Sequence, residues 1–389
     1  MSVELSGENN FDNSRARILF LLFIYIFINT LFIWKYASSY FSSQIIAPIL
    51  YIIISIIVLW IILFPKITIK LFPANYRFLY LGFMIIAAIL LTILMFQFKP
   101  TDIHVGRYSA LDDWITKLFA GDFPYDSSAR PSGFPFLFVP AIPFYLLGDT
   151  GLLQIFSFLI LAAIFYFRFR GDDAISLRLM ILLIISPIFI FEIVVRSDLF
   201  SNMVIVLLYL IVCEKYLLKE SSLVRIGLGL LGGLLLSTRS IVLIIFILYF
   251  VWKIRKSKLN PYLSVLSILF GFLITLIPFA LWNYDYFVNY GPFAVQMSYV
   301  PVWFIILSII ISFIWAVKIK TIGQVYFTAA TMLFMVVLGA FVIFAVRFGL
   351  IDSVMNSQFD ISYFCFPLPF VLMSPGATAE GDYTDNRLA

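Results

Sequence analysis

Residues 78–96, FLYLGFMIIAAILLTILMF, run straight into residues 97–133, QFKPTDIHVGRYSALDDWITKLFAGDFPYDSSARPSG, and this boundary decides the fold. The first stretch is free of charge and close to the roughly 20 apolar residues that a helix needs to cross a bilayer. The second is polar, rich in Gly and Pro, and holds Asp102, Asp112, Asp113, Asp122 and Asp126, together with His104, the single histidine of the chain. A membrane helix therefore opens into a large acidic loop, and the rest of the sequence repeats only the first half of that pattern.

Working outward, 63% apolar residues, 19% aromatic residues and a mean hydropathy of +1.05 exclude a water-soluble globule over 389 residues. Apolar runs bounded by charge, Pro or Gly recur at 18–34, 45–64, 78–96, 151–167, 179–195, 199–217, 226–237, 240–252, 262–283, 301–317, 325–346 and 361–373. The expectation is an all-α, polytopic bundle of about twelve spans over 18–373, preceded by a polar cytoplasmic segment 1–17 that leads into an uncleaved anchor. Residues 374–389 read as a disordered tail. Residues 134–147, FPFLFVPAIPFYLL, are short and carry Pro135, Pro140 and Pro143, so they read as re-entrant or interfacial.

Orientation follows from the basic residues. With 134–147 not crossing, one set of loops collects the clusters at 15–17, 66–77, 168–178, 215–225, 253–258 and 318–320, and Arg387, which together hold 18 of the 26 lysines and arginines. That side is expected to be cytoplasmic, with both termini on it and the acidic loop facing out of the cell membrane. The net charge of +5 is then a topology signal and implies no nucleic-acid partner. Cys213 and Cys365 both fall in apolar runs without metal spacing, which supports neither a disulfide framework nor a zinc site.

The acidic loop divides into an extended lead-in (100–106), a helix (107–120) and a turn-rich exit (121–133). Leu111, Ile115, Leu118 and Phe119 fall at helical spacing and can lie on the membrane or the bundle, which turns Asp112 and Asp113 toward water or a cleft. Other ionisable residues on the outer side are Glu192, Arg196, Asp198, Arg239, Asp285, Arg347, Asp352 and Asp360. Arg239 separates two short apolar runs and is expected at the tip of a tight hairpin with Ser237 and Thr238. Its guanidinium there suits either a pair of phosphate oxygens or an ion pair with Glu192 or Asp198. Arg196 and Asp198 could satisfy one another across their turn. The aromatic stretch 282–303 could clamp a lipid tail or form an interfacial belt.

In its order of motifs the loop resembles the GT-C superfamily of integral-membrane glycosyltransferases. Thr101-Asp102-Ile103-His104 follows a span, then comes the helix, then Gly121-Asp122-Phe123-Pro124-Tyr125, then Gly133-Phe134-Pro135. The branch that uses polyprenyl-phosphate mannose is the most similar. The resemblance implies a catalytic carboxylate at Asp102, with His104 in the second place of a D-x-D, and gives Asp113 the position of a later helix carboxylate. It implies a polyprenyl-phosphate sugar donor, a glycan, lipid or protein acceptor, and a site to which Tyr125 of the turn belongs.

Such a transfer needs a base for the acceptor proton and fixed positive charge for the departing phosphate. Asp102, Asp112 or Asp113 could be the base. Arg239, with Arg196 or Arg347, could supply the charge, and Asp102 with His104 could hold a divalent cation such as Mg or Mn. Two other readings stay open: a membrane transporter or lipid flippase, and a scaffold without catalysis.

Overall fold

The computed structural model describes residues 4–37, 40–41, 43–63, 76–100, 106–170, 172–217, 222–257 and 261–375, and among them no strand occurs. In chain order the elements are α1 (Glu4–Ala37), α2 (Ile46–Leu63), α3 (Tyr76–Gln97), α4 (Gly106–Ala120), two 3-10 turns (Pro135–Leu137 and Val139–Ala141), α5 (Ile142–Leu146), α6 (Leu152–Arg168), α7 (Asp173–Ile184), α8 (Pro187–Val194) and α9 (Leu199–Tyr216). There follow α10 (Ser222–Leu236), α11 (Val242–Ser257), α12 (Pro261–Trp282), α13 (Tyr284–Asn289), α14 (Pro292–Tyr299), α15 (Val302–Lys318), α16 (Ile322–Phe348), α17 (Leu350–Val354), a 3-10 turn (Ile361–Cys365) and helical residues 368–375.

The described residues are thus all-helical in their regular structure. Helix occupies each window in which the sequence reads an apolar run, but among the described residues length and apolarity are sufficient for a crossing in five helices, or seven if two bent pairs each count once. Those five lie within α1, α3, α9, α12 and α16, and they make this a multi-pass membrane protein. The long apolar side chains left exposed on them, such as Ile85, Ile89 and Leu90 of α3 and Leu266, Phe270 and Ile277 of α12, then face lipid.

Two expectations are corrected here. The run 179–195 is not one straight span: α7 and α8 meet at 65° across Ser186–Pro187, because Pro187 has no N–H and its ring crowds the preceding turn. The stretch 282–303 is not an irregular loop but α13 and α14, and the helical 284–299 meets α15 at 69°. Residues 134–147 form the two 3-10 turns and the five-residue α5, as their three prolines require.

By backbone contact the chain divides into two compact units, one of Met1–Ala87, Ala162–Ile190 and Thr321–Ala389, the other of Ala88–Leu161 and Phe191–Lys320. In the first unit, α1 repairs the break between α7 and α8. The Ser186 N–H bonds the Leu183 carbonyl instead of the Leu182 carbonyl, and the Tyr25 hydroxyl donates to the Leu182 carbonyl at 2.7 Å. Buried Asn29 accepts with Oδ1 from the Ser186 hydroxyl at 2.7 Å and from the Ile188 N–H at 3.1 Å. The donors and acceptors freed at a helix end inside apolar surroundings are thereby satisfied.

In the second unit, α10 and α12 approach nearly backbone to backbone. A Cβ on Gly233 would lie 2.1 Å from the Ile268 carbonyl oxygen and 2.6 Å from the Phe272 nitrogen, and one on Gly271 would lie 2.3 Å from the Leu230 carbonyl oxygen. Without a hydrophobic drive between helices in lipid, such close approach is what gives dispersion its grip.

Candidate functional site

The helix expected at 107–120 is α4, and its apolar face is broader than the sequence reading gave it. Leu111 and Ile115 are buried, but the anchor is Trp114, whose ring stacks on Phe138 at 4.3 Å and 9°. Trp114 follows Leu111 by three residues, a spacing that could have revealed it. Phe119 is 56% exposed and stacks beside Tyr145 at 6.0 Å.

The exit loop is fastened to the same core. Tyr125 is fully buried among Trp114, Phe138, Phe279 and Phe287, and its hydroxyl donates to the Gly133 carbonyl at 2.9 Å. The side chain proposed for substrate contact from the resemblance is therefore placed inside the protein, where it closes the loop on itself. At Gly133 the Leu137 side chain fills the space a Cβ would take, with Cδ2 2.0 Å from that position.

The polar ridge of α4 carries Tyr108, Asp112 and Thr116 at successive four-residue steps. At one end Thr116 Oγ1 and the Tyr145 hydroxyl lie 2.9 Å apart. At the other, the Arg196 guanidinium lies 5.5 Å from the Tyr108 ring centre and 5.9 Å from that of Phe96. Arg196 follows α8 in the left-handed region, φ 53°, a conformation that costs a non-glycine residue about 1–3 kcal/mol and collects at functional sites.

Two partners hold Arg196 there. Its Nε lies 3.1 Å from Asp149 Oδ2, and Nη2 donates to the Met95 carbonyl at 3.2 Å. Nη1, also buried, finds no hydrogen-bond partner among the described residues. Asp149 is fixed in turn by the Gly151 N–H, which donates to Oδ1 at 2.8 Å. The absence of a side chain at Gly151 admits Arg196, since a Cβ would lie 2.5 Å from its Cγ and 2.6 Å from its Cδ.

Asp112 is half-buried beside this pair, and burial, then the negative charges of Asp149 and Asp113, push its carboxyl above the usual aspartate range. The Tyr108 hydroxyl is also raised, by burial first and by Asp112 and Asp149 next, against the lowering effect of Arg196.

Arg239 sits in the turn between α10 and α11 as expected, but it is buried and engaged. Its Nη2 and Nε bond Asp198 Oδ2 at 2.5 Å and 3.2 Å, and Nη1 donates to Ser132 Oγ at 3.3 Å. Asp198 is one of the two partners the sequence offered. Arg196 and Asp198 do not pair with one another: they turn to Asp149 and Arg239, where each guanidinium also reaches a further acceptor, the Met95 carbonyl for Arg196 and Ser132 Oγ for Arg239. Around Arg239 the exit loop is laced to the hairpin tip, with the Phe134 and Phe136 N–H groups donating to the Thr238 and Ser237 carbonyls at 3.0 Å each. Gln296 of α14 donates to the Ser132 carbonyl at 2.7 Å and accepts from the Ser240 hydroxyl at 2.6 Å.

Arg347 ends α16 in the first unit and is exposed, with its guanidinium 5.0 Å from the Phe348 ring centre. Asp102 and His104 lie outside the described residues. Among those that are described, no group of three or more His, Cys, Asp or Glu comes together to hold a metal ion. Asp149, which the sequence reading passed over, stands in Gly148-Asp149-Thr150-Gly151, a turn signal between two apolar segments that could have drawn notice. The fold and site together define a multi-pass helical membrane protein with a helix bearing two aspartates near a largely buried ion pair. No family model, characterised protein or solved structure matches the chain.

Proposed function

We propose that this chain is a GT-C-like glycosyltransferase that moves a hexose, mannose being the first to test, from a polyprenyl-phosphate carrier to an acceptor hydroxyl. The reading includes about twelve crossings, cytoplasmic termini and an outward-facing loop 97–133 in the cell membrane. The observation that carries it is the placement of Asp112: a half-buried carboxylate on a helix of the acidic loop, one turn from Tyr108, over whose ring lies a guanidinium that keeps one donor in hand.

The chemistry is a single displacement. As the acceptor oxygen bonds to the anomeric carbon, the carboxylate takes its proton, and the bond from that carbon to the phosphate oxygen breaks with the electron pair leaving on phosphate. Attack opposite the leaving group inverts the anomeric centre. Arg196 Nη1 is suited to the charge developing on phosphate, and in a water-poor site such a donor is worth more than in bulk solvent. Arg239 is occupied by Asp198 and Ser132, so we assign it to holding the exit loop.

A carrier reading draws on one observation, the break between α7 and α8, since broken helices line transporter sites. Its freed backbone groups at Leu182 and Ile188 are already taken by Tyr25 and Asn29, which leaves them unavailable to a transported ion. The deciding experiment is transfer of labelled sugar from polyprenyl-phosphate hexose in membranes carrying wild type, Asp102→Asn, Asp112→Asn or Asp113→Asn, with and without chelator. Loss of transfer confined to one of these variants is expected and identifies the base. No transfer by any form with a range of donors and acceptors overturns the reading in favour of a carrier or scaffold.

A further inference from the structure

We propose that Asp149, clamped by Arg196 over the missing side chain of Gly151, is a positioning residue that selects Asp112 as the proton-exchanging carboxylate of α4. The inference rests on the reading of α4 as the helix that bears a base, and it adds a residue to which neither the motif order nor the resemblance assigns a role.

Asp112 and Asp113 are adjacent, and of the two the motif order singled out Asp113 and not Asp112. What differs is the side of the helix. Asp112 shares a ridge with Tyr108 and Thr116, and that ridge is the one met by Arg196 and by Tyr145. Asp149 follows Tyr145 by four residues and is bound to the same Arg196 at 3.1 Å. The titratable and charged groups around Asp112 are therefore Asp113 and Tyr108 on its own helix, Tyr145 of α5, Asp149 of the turn after it and, on the far side of Tyr108, Arg196 from the turn between α8 and α9.

Asp149 cannot drift from this place. One oxygen is held by the Gly151 N–H at 2.8 Å and the other by Arg196, whose own position depends on the empty space at Gly151. Arg196 in turn adopts its left-handed backbone and spends Nη2 on the last turn of α3. A carboxylate fixed this firmly presents a standing negative charge to its half-buried neighbour Asp112. Such a neighbour holds its proton longer than an exposed aspartate does, and accepts one more readily. Asp113 lies off that ridge, one residue on around the helix.

The test reads the proton directly and needs no turnover. Dicyclohexylcarbodiimide adds to protonated carboxyls, so purified full-length protein is labelled across a pH series and the modified residue is located by mass spectrometry. In the wild type, labelling of Asp112 should persist at a pH above the usual aspartate range of about 3.9. In Asp149→Asn, labelling of Asp112 at that pH should fall by about threefold or more, while Asp149→Glu, which keeps the charge, should restore it. Asp149→Ser, which leaves an oxygen for the Gly151 N–H, serves if the asparagine variant does not give a monodisperse peak in detergent. Superimposable labelling curves for wild type and the neutral variants would overturn the proposal, whatever the transfer assay gives. The expected shift without any sugar transfer would sink the glycosyltransferase reading and leave the role of Asp149 standing.

Discussion

Burial, reinforced by Asp149 and then by Asp113, makes the Asp112 carboxyl a weaker acid than an ordinary aspartate, and the sign of the consequence follows from which form is penalised. A base must be ionised, so sugar transfer should climb as pH rises through a midpoint above the usual aspartate value of about 3.9. Stability moves the other way. Because the folded chain holds this proton more tightly than the unfolded chain, the contribution of Asp112 is complete below the unfolded value and is lost as pH rises through the folded one. A pH–rate profile beside melting temperatures over the same range checks both limbs, and Asp112→Asn should flatten both. The second buried pair gives a larger effect. Arg239→Gln leaves the Asp198 carboxylate without its main partner in the protein interior and should cost about 3–5 kcal/mol in detergent unfolding. The double variant Asp198→Asn/Arg239→Gln should recover part of that loss, since no lone charge is left buried.

Elements here are held by what their ends and faces lack as much as by what they carry. Gly233 of α10 has no room for any side chain, so Gly233→Leu should separate α10 from α12 and abolish recovery of folded protein. Gly227 of the same helix has nothing within 4 Å of an added Cβ. Gly227→Ala should therefore be neutral or stabilise by up to about 1 kcal/mol, and fluorescence-detected size exclusion of the two variants separates close packing from general intolerance of change in α10. At the break between α7 and α8, Asn29→Leu keeps the size of the side chain but removes the acceptor for Ser186 and Ile188. Each orphaned donor costs about 1–3 kcal/mol, so a clear fall in thermal stability is expected, and an unchanged melting temperature would show that the break is satisfied by other means. None of these partnerships could be read from local sequence, because the partners stand more than 150 residues apart for Asn29 and in different helices for Gly233.

At the scale of the whole molecule, the distribution of Lys and Arg predicts which surface faces the cytoplasm. In a background where Cys213 and Cys365 are replaced by alanine, Asp126→Cys should react with a membrane-impermeant maleimide on intact cells. Lys320→Cys should react only after permeabilisation. Both positions are exposed, so access to the thiol is set by the membrane and not by the fold, and the reverse pattern would overturn the orientation and with it the outer placement of the acidic loop.

Composition and apolar run length determined that this is an all-helical, multi-pass membrane protein. Loop composition determined that α4 exists and that Asp112 and Asp113 lie on it. Those features depend on local quantities, namely the cost of an unsatisfied backbone in lipid and the period of a helix, which a sequence states outright. Tertiary structure decided the rest. It set Asp149 against Arg196, gave Arg239 to Asp198, buried Tyr125, and bent the helix at Pro187 with Asn29 at the break. A buried guanidinium or a freed carbonyl must find a partner, but which one it finds depends on the path of the whole chain and on the close approaches its glycines allow.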